Sequence, residues 1–223
     1  MSSESYIAMT RSNRSRKGSF ITEFAIVAPF LVMLLAGGYT IGMSLTRTLV
    51  AGQLCRNANV LNVRGIDLSQ PASKRALLRT APGLNMTLPG SWDPDPNGKG
   101  AVIITKVIRV GPNTCNLGIP GWDQNPGSCP NYDRYVIASR IVIGNTTRWQ
   151  SATGQPSSVP GANGNLTDWQ VATVTGNQAL GFPGIIALNL DEFSLLAETF
   201  ADISNLDLFS FLKTPVIAVR NLS

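Results

Sequence analysis

The sequence predicts an α+β protein: a long N-terminal helix, apolar and then amphipathic, packed on a C-terminal head built on an antiparallel β-sheet. Three stretches carry that expectation. Phe24 to Leu45 contains no charged residue, and about 22 residues in a helix span roughly 33 Å, enough for a bilayer core. Leu45 to Leu61 continues at helical spacing with polar residues interleaved. Ala101–Val110 and Tyr132–Asn145 are rich in β-branched residues and read as strands. The chain divides into a basic N-terminal segment (1–18), the helix (19–66) and the head (67–223).

Each element has a local reason. Residues 1–18 are rich in Ser and Arg and carry Arg11, Arg14, Arg16 and Lys17 against one acid, Glu4; they are expected to lack structure. The helix is expected from about residue 20 to 64. Glu23 sits at the lip of the apolar run, where a carboxylate is costly and calls for a partner. Pro29 lies inside the run and invites a kink. Gly37, Gly38 and Gly42 leave room for another helix to approach. Leu45, Leu49, Gly52 and Cys55 share one stripe, with Leu54, Ala58 and Leu61 beside it, which places the second half of the helix on the head. Asp67 to Pro71 breaks the helix, and Pro71 starts a short one through about Thr80. Trp92 to Gly100 is turn chemistry. In the first strand Val102, Ile104, Ile108 and Val110 are expected on one face; in the second, Tyr135, Ile137, Ile141 and Ile143. Residues 151–165 read as a long exposed loop and Trp169–Thr175 as a short strand. Asp191–Ile203 fits a helical period through Phe193, Leu196, Ala197, Phe200 and Ala201, which leaves its state open on pattern alone.

Composition excludes several functions. The formal net charge is +5 and the pI about 9.4, but four cations against one acid put +3 of it in residues 1–18. The basicity is therefore topogenic. It places the N-terminus in the cytoplasm and everything after Leu45 outside, with the lipid bilayer as a partner. No later cluster of Lys or Arg interleaved with aromatics exists, so no nucleic-acid binding is expected. The absence of histidine removes the commonest general base and most zinc sites. Asp93 with Asp95, and Asp191 with Glu192, read as solvated surface acids rather than a glycosidase pair. Ser128, Ser139 and Ser157 have no base to activate them. Trp92, Trp122, Trp149 and Trp169 are expected to pack at the rim, with a sugar platform as the alternative. No enzyme activity, metal or cofactor is expected. In an oxidising exterior, Cys115 and Cys129 read as a disulfide over a Gly-, Pro- and Asn-rich loop, a redox or metal pair being the alternative. Cys55 is expected buried at the helix–head junction, or else bonded to another chain. The Asn-x-Ser/Thr sequences at Asn85, Asn145, Asn165 and Asn221 read as chance matches.

The residues Gly18-Ser-Phe-Ile-Thr-Glu23-Phe24-Ala25-Ile26-Val27-Ala28-Pro29-Phe30-Leu31, preceded by the basic segment, resemble the opening of the TadE-like proteins of the tight-adherence (type IVc) pilus system, which read G-x-x-x-x-E-F-A-L-V-x-P-x-L. The likeness is close from Gly18 to about Leu35. It then thins to a general pattern that includes a similar tail, Ala197–Asp202 and Val216–Asn221. It implies a strand within 191–203, a loop from Asp207 to Lys213 and a closing strand from Val216 to Arg220.

For function, the resemblance implies a minor pilin or pseudopilin. A prepilin peptidase would cut after Gly18, making Ser19 the new N-terminus. The Ser19 ammonium, one helical turn from Glu23, would pair with that carboxylate during transfer from bilayer to fibre. Phe24 and Pro29 belong to the same motif and so to assembly. The implied partners are the prepilin peptidase, other pilin subunits of the fibre and the inner-membrane pilus assembly platform. The implied location is the bacterial inner membrane, head in the periplasm, and then the fibre. Two rivals remain open: an uncleaved single-pass anchor for an exterior binding or scaffold domain, and a secreted protein cut by signal peptidase near Ala36-Gly37-Gly38.

Overall fold

Helix α1 (Arg16–Val63) is one unbroken helix of 48 residues, roughly 72 Å long at about 1.5 Å per residue. The computed structural model describes residues 16–145, 147–202 and 217–222, with side chains from residue 21 in α1 and from residue 219 in the last strand. The helix starts before Gly18, so Arg16 to Gly18, expected to be unstructured, are its first turn. Arg and Lys are good helix formers, and the strong apolar run propagates helix back into them. Pro29 does not interrupt it. The far end closes at Gly65, whose φ of 76° lets Ile66 N–H bond Leu61 O and Gly65 N–H bond Asn62 O, both at 3.0 Å.

Only the second half of α1 packs on the head. Ala51, Leu54, Cys55 and Ala58, at i, i+3, i+4 and i+7, are fully buried. Leu45 and Leu49, expected on that stripe, are exposed, because the head begins at about Ala51 and nothing lies beneath them. Helix α2 (Pro71–Arg79), started by its proline as expected, buries Leu77 and Leu78 in the same cluster as these α1 residues.

The sheet has four strands in the order β2-β1-β3-β4, all antiparallel: β1 (Gly100–Arg109), β2 (Tyr135–Gly144), β3 (Phe193–Ala201) and β4 (Ile217–Leu222). The α+β expectation therefore holds at the level of a long apolar helix and an antiparallel sheet. The ambiguous stretch is strand β3. It looked helical because it is buried on both faces, Leu196 and Phe200 on one and Ala197 and Ala201 on the other, and a doubly covered strand loses its alternation. The expected loop at 207–213 and the first residue of the expected closing strand, Val216, lie outside the described residues.

One facial assignment is wrong. Tyr135 and Ile137 do not share a face with Ile141 and Ile143. Lys106 pairs with Ser139 but Val107 pairs with Ile137, so Ala138 is an extra residue on β2. That bulge inverts the alternation. Ile141 and Ile143 join the cluster under α1, while Tyr135 and Ile137 join Val107 and Phe182 on the opposite face. Nor is Trp169–Thr175 a strand. Asp168–Thr173 is helix α4, opened by a capping box in which Thr167 and Gln170 bond each other's backbones. Loop 151–165 carries no regular element, yet Ser151 and Thr153 are buried, so it is not wholly exposed.

The contacts fix the direction of α1. Cys55 Sγ–H donates to Ala197 O at 3.1 Å and lies 3.4 Å from Val219 O. Asn62 and Val63 line a cleft with Phe193 and Leu195. Helix α1 thus runs antiparallel to β3, and its exposed half leaves the head at the Gly100–Ala201 end of the sheet. The other end, beyond Val110, carries helix α3 (Pro112–Gly118), α4 and the disulfide.

Candidate functional site

The apolar half of α1 stands clear of the head. From Ile21 to Leu49 its large apolar side chains are exposed on every side, Leu34 at 77% and Ile41 at 72%. Polar groups within it are satisfied locally: Thr40 Oγ1–H bonds the carbonyls of Ala36 and Gly37, and Thr46 Oγ1–H that of Gly42, each at 2.9 Å. This segment therefore presents hydrocarbon with few unmet hydrogen bonds, the requirement for a span in lipid. It is long and apolar enough to cross a membrane. Beside Gly37, Gly38 and Gly42 an added Cβ would meet nothing within 4 Å, so this surface is unfilled in the single chain.

Gly18 and Ser19 lie in the first turns of α1, and Glu23 and Phe24 follow in the same helix, both exposed. Ser19 and Glu23 are four residues apart, hence on one face. Pro29 is exposed within the helix, and Ala25 O loses its usual i+4 donor there. These five residues lie within about the first four turns of α1, at its end away from the head.

The disulfide is present: Cys115 and Cys129 are bonded, with Cα atoms 6.0 Å apart. It closes α3 against the short helical turn Pro126–Ser128, among Val110, Trp122, Val136 and Val171. Cys55 is buried with a free thiol at the junction of helix and sheet. Trp122 and Trp149 are core residues rather than rim, and Trp149 stacks on Phe200 with centroids 5.8 Å apart. Trp92 and Trp169 are the exposed pair.

The candidate acids do structural work. Asp93 pairs with Arg75 at 2.5 Å and accepts from Ser91 Oγ–H. Asp191, read as a solvated acid, is instead a latch. Its backbone is left-handed at φ 62°, and its carboxylate accepts from Gly111, Asn113 and Thr114 N–H and from Thr114 Oγ1–H, at 2.7 to 3.1 Å. Burial raises its pKa, but the Thr114 hydroxyl and the three amides outweigh that and leave it below the usual carboxylate range. Among the described residues no three His, Cys, Asp or Glu side chains gather as a metal site would need.

Sequence reasoning missed a buried polar hub on the sheet face away from α1. Glu198 is fully buried and accepts from Ala152 N–H at 3.2 Å, from Ser151 Oγ–H and from Arg220 Nε–H at 2.9 Å. Arg140 donates to Thr105, Thr153 and the Gly154 carbonyl. Burial draws the Arg140 pKa down to about 10, against the pull of Glu198. The signal available in the sequence was a charged residue within each of two apolar strands. No family model, curated protein or solved structure matches this chain.

Proposed function

We propose that the chain is a minor pilin or pseudopilin of a tight-adherence type system. In this reading it is inserted with its N-terminus in the cytoplasm, trimmed after Gly18 by a prepilin peptidase, and built into or onto a fibre without catalysis of its own. The observation that carries it is a conjunction: four cations in the sequence, Gly18, Glu23 five residues later, and an unbroken helix whose apolar first half stands clear of the head. A helix exposed all round needs lipid or other helices around it. A fibre core of equivalent helices supplies the second as the bilayer supplies the first. The Ser19 ammonium and the Glu23 carboxylate then neutralise each other where water is scarce.

Glu23→Gln separates insertion from assembly. The variant is expected to insert, to be cut so that the mature chain begins at Ser19, and yet to be absent from sheared fibres. Wild-type piliation by Glu23→Gln would overturn the pairing. Gly18→Val is expected to retain the leader, as read by intact mass.

One observation favours the uncleaved-anchor reading: α1 already runs through Gly18, and a peptidase requires an extended strand. N-terminal sequencing of membrane-extracted protein decides between them. A start at Ser19 supports trimming, an intact leader supports the anchor, and a start near Tyr39 supports ordinary secretion.

A further inference from the structure

A groove of about 750 Å3 opens between the turn after α2 and the loop that leads into β1. We propose that it binds a neutral saccharide. The proposal concerns the head alone and does not depend on whether the head travels on a fibre.

The walls are fixed before any ligand arrives. Asp95 N–H bonds Met86 O at 2.8 Å, Lys99 N–H bonds Asn85 O at 2.9 Å and Leu88 N–H bonds Asp93 O at 3.0 Å. Thr87 and Pro94 form an antiparallel bridge between the same two segments. A Cβ on Gly98 would sit 2.8 Å from Asn85 O, so the close approach of the two walls requires that glycine. Pro82 and Pro89 add stiff backbone to the lining. A groove held in this way loses little conformational freedom on binding.

Its chemistry is that of hydroxyl recognition. Trp92 lines the groove at 40% exposure, whereas Trp122 and Trp149 are each 9% exposed. A flat indole offers a face for the C–H side of a pyranose and an N–H for a hydroxyl. Asn85 and Asn97 are exposed in the groove lining, and each side-chain amide can both donate and accept. Thr87 adds a hydroxyl, whereas that of Ser91 is held by Asp93. The charges in the groove, Asp95 and Lys99, balance, which disfavours a strongly ionic ligand. An aromatic plate with a few convergent neutral polar groups in a concave site is a ligand-binding arrangement.

The test uses the full chain in a zwitterionic detergent without sugar headgroups. Saturation-transfer difference NMR is recorded with cellotriose, chitotriose and mannotriose, each at roughly millimolar concentration, where weak binding is visible. At least one trisaccharide is expected to take up saturation on its ring protons. Trp92→Ala is expected to weaken that binding about tenfold or more, and Trp169→Ala, which removes the other exposed indole, to leave it unchanged. Asn97→Ala, an exposed substitution with no packing to lose, is expected to weaken it severalfold. If Trp92→Ala does not fold, Asn97→Ala decides alone. No transfer to any of the three sugars, or binding unchanged in both groove variants, overturns the proposal.

Discussion

The two halves of α1 belong to one helix but answer to two solvents. Residues 21–49 are predominantly apolar on all sides and stand clear of the head, whereas residues 50–63 bury one stripe against it and leave Gln53 and Arg56 among the exposed side chains. The first pattern suits a surrounding of hydrocarbon, the second a surface with water on its other side. The change from one pattern to the other, not any break in the backbone, marks where the head begins.

The largest expected effect lies in the second half. Leu54→Ala is expected to destabilise the head by about 2–5 kcal/mol, since it empties a fully buried site. Leu34→Ala, in the first half, is expected to leave head unfolding within about 0.5 kcal/mol of wild type. Tryptophan fluorescence during denaturation in detergent reads both. Equal effects would abolish the distinction between the halves. Next is the disulfide at the far end of the head. Cys115→Ser is expected to lower stability by about 3 kcal/mol, with Cys129→Ser matching it and the double variant adding little. Strongly unequal single effects would show that the cysteines act separately.

A smaller effect belongs to Asp191. Asp191→Asn is expected to lose about 1–3 kcal/mol at neutral pH. Because the folded-state pKa is depressed, the stabilisation is complete above the ordinary carboxylate range. It is lost as pH falls through the lower, folded-state value. The gap between wild type and variant should therefore close in acid; a gap that widens there reverses the sign. The smallest effect tests Cys55, which is expected to resist maleimide in the folded protein and react only on unfolding. Fast labelling would place the helix–sheet junction in water.

What the sequence disclosed depended on how local the cause was. The span, the Pro71 start of α2 and the two β-branched strands follow from residues within a turn or a strand of one another, and they were legible. The Cys115–Cys129 pair was legible from the Gly-, Pro- and Asn-rich loop it closes, given the oxidising exterior expected from the sequence. The bulge at Ala138 was not, because it is defined by the register of a partner strand. Strand β3 kept helical spacing because it fills two faces at once, and only its neighbours decide that. The Thr167–Gln170 capping box was present in the sequence, so α4 was a signal overlooked rather than hidden. Arg140 and Glu198 meet through loop 151–154, which shows no periodicity, and the Asp191 latch reaches across nearly 80 residues. For the candidate site, the residues from Gly18 to Pro29 stand next to one another in the chain and could be singled out without a fold, while the groove beside Trp92 emerged only from the fold.

The antiparallel course of α1 along β3 has a mechanical consequence. A pull on the exposed half acts along the helix axis, and therefore nearly parallel to the strands beneath it. Such a load shears the whole contact of Ala51, Leu54, Cys55 and Ala58 at once, where a perpendicular load would peel it one residue at a time. Within the sheet, β3 is bonded along its length to β1 and from Leu196 to Ala201 to β4, so the force passes into two ladders rather than one. The head is thus tethered in its stronger direction, and the disulfide, at the far end of the sheet, stands outside the line of tension.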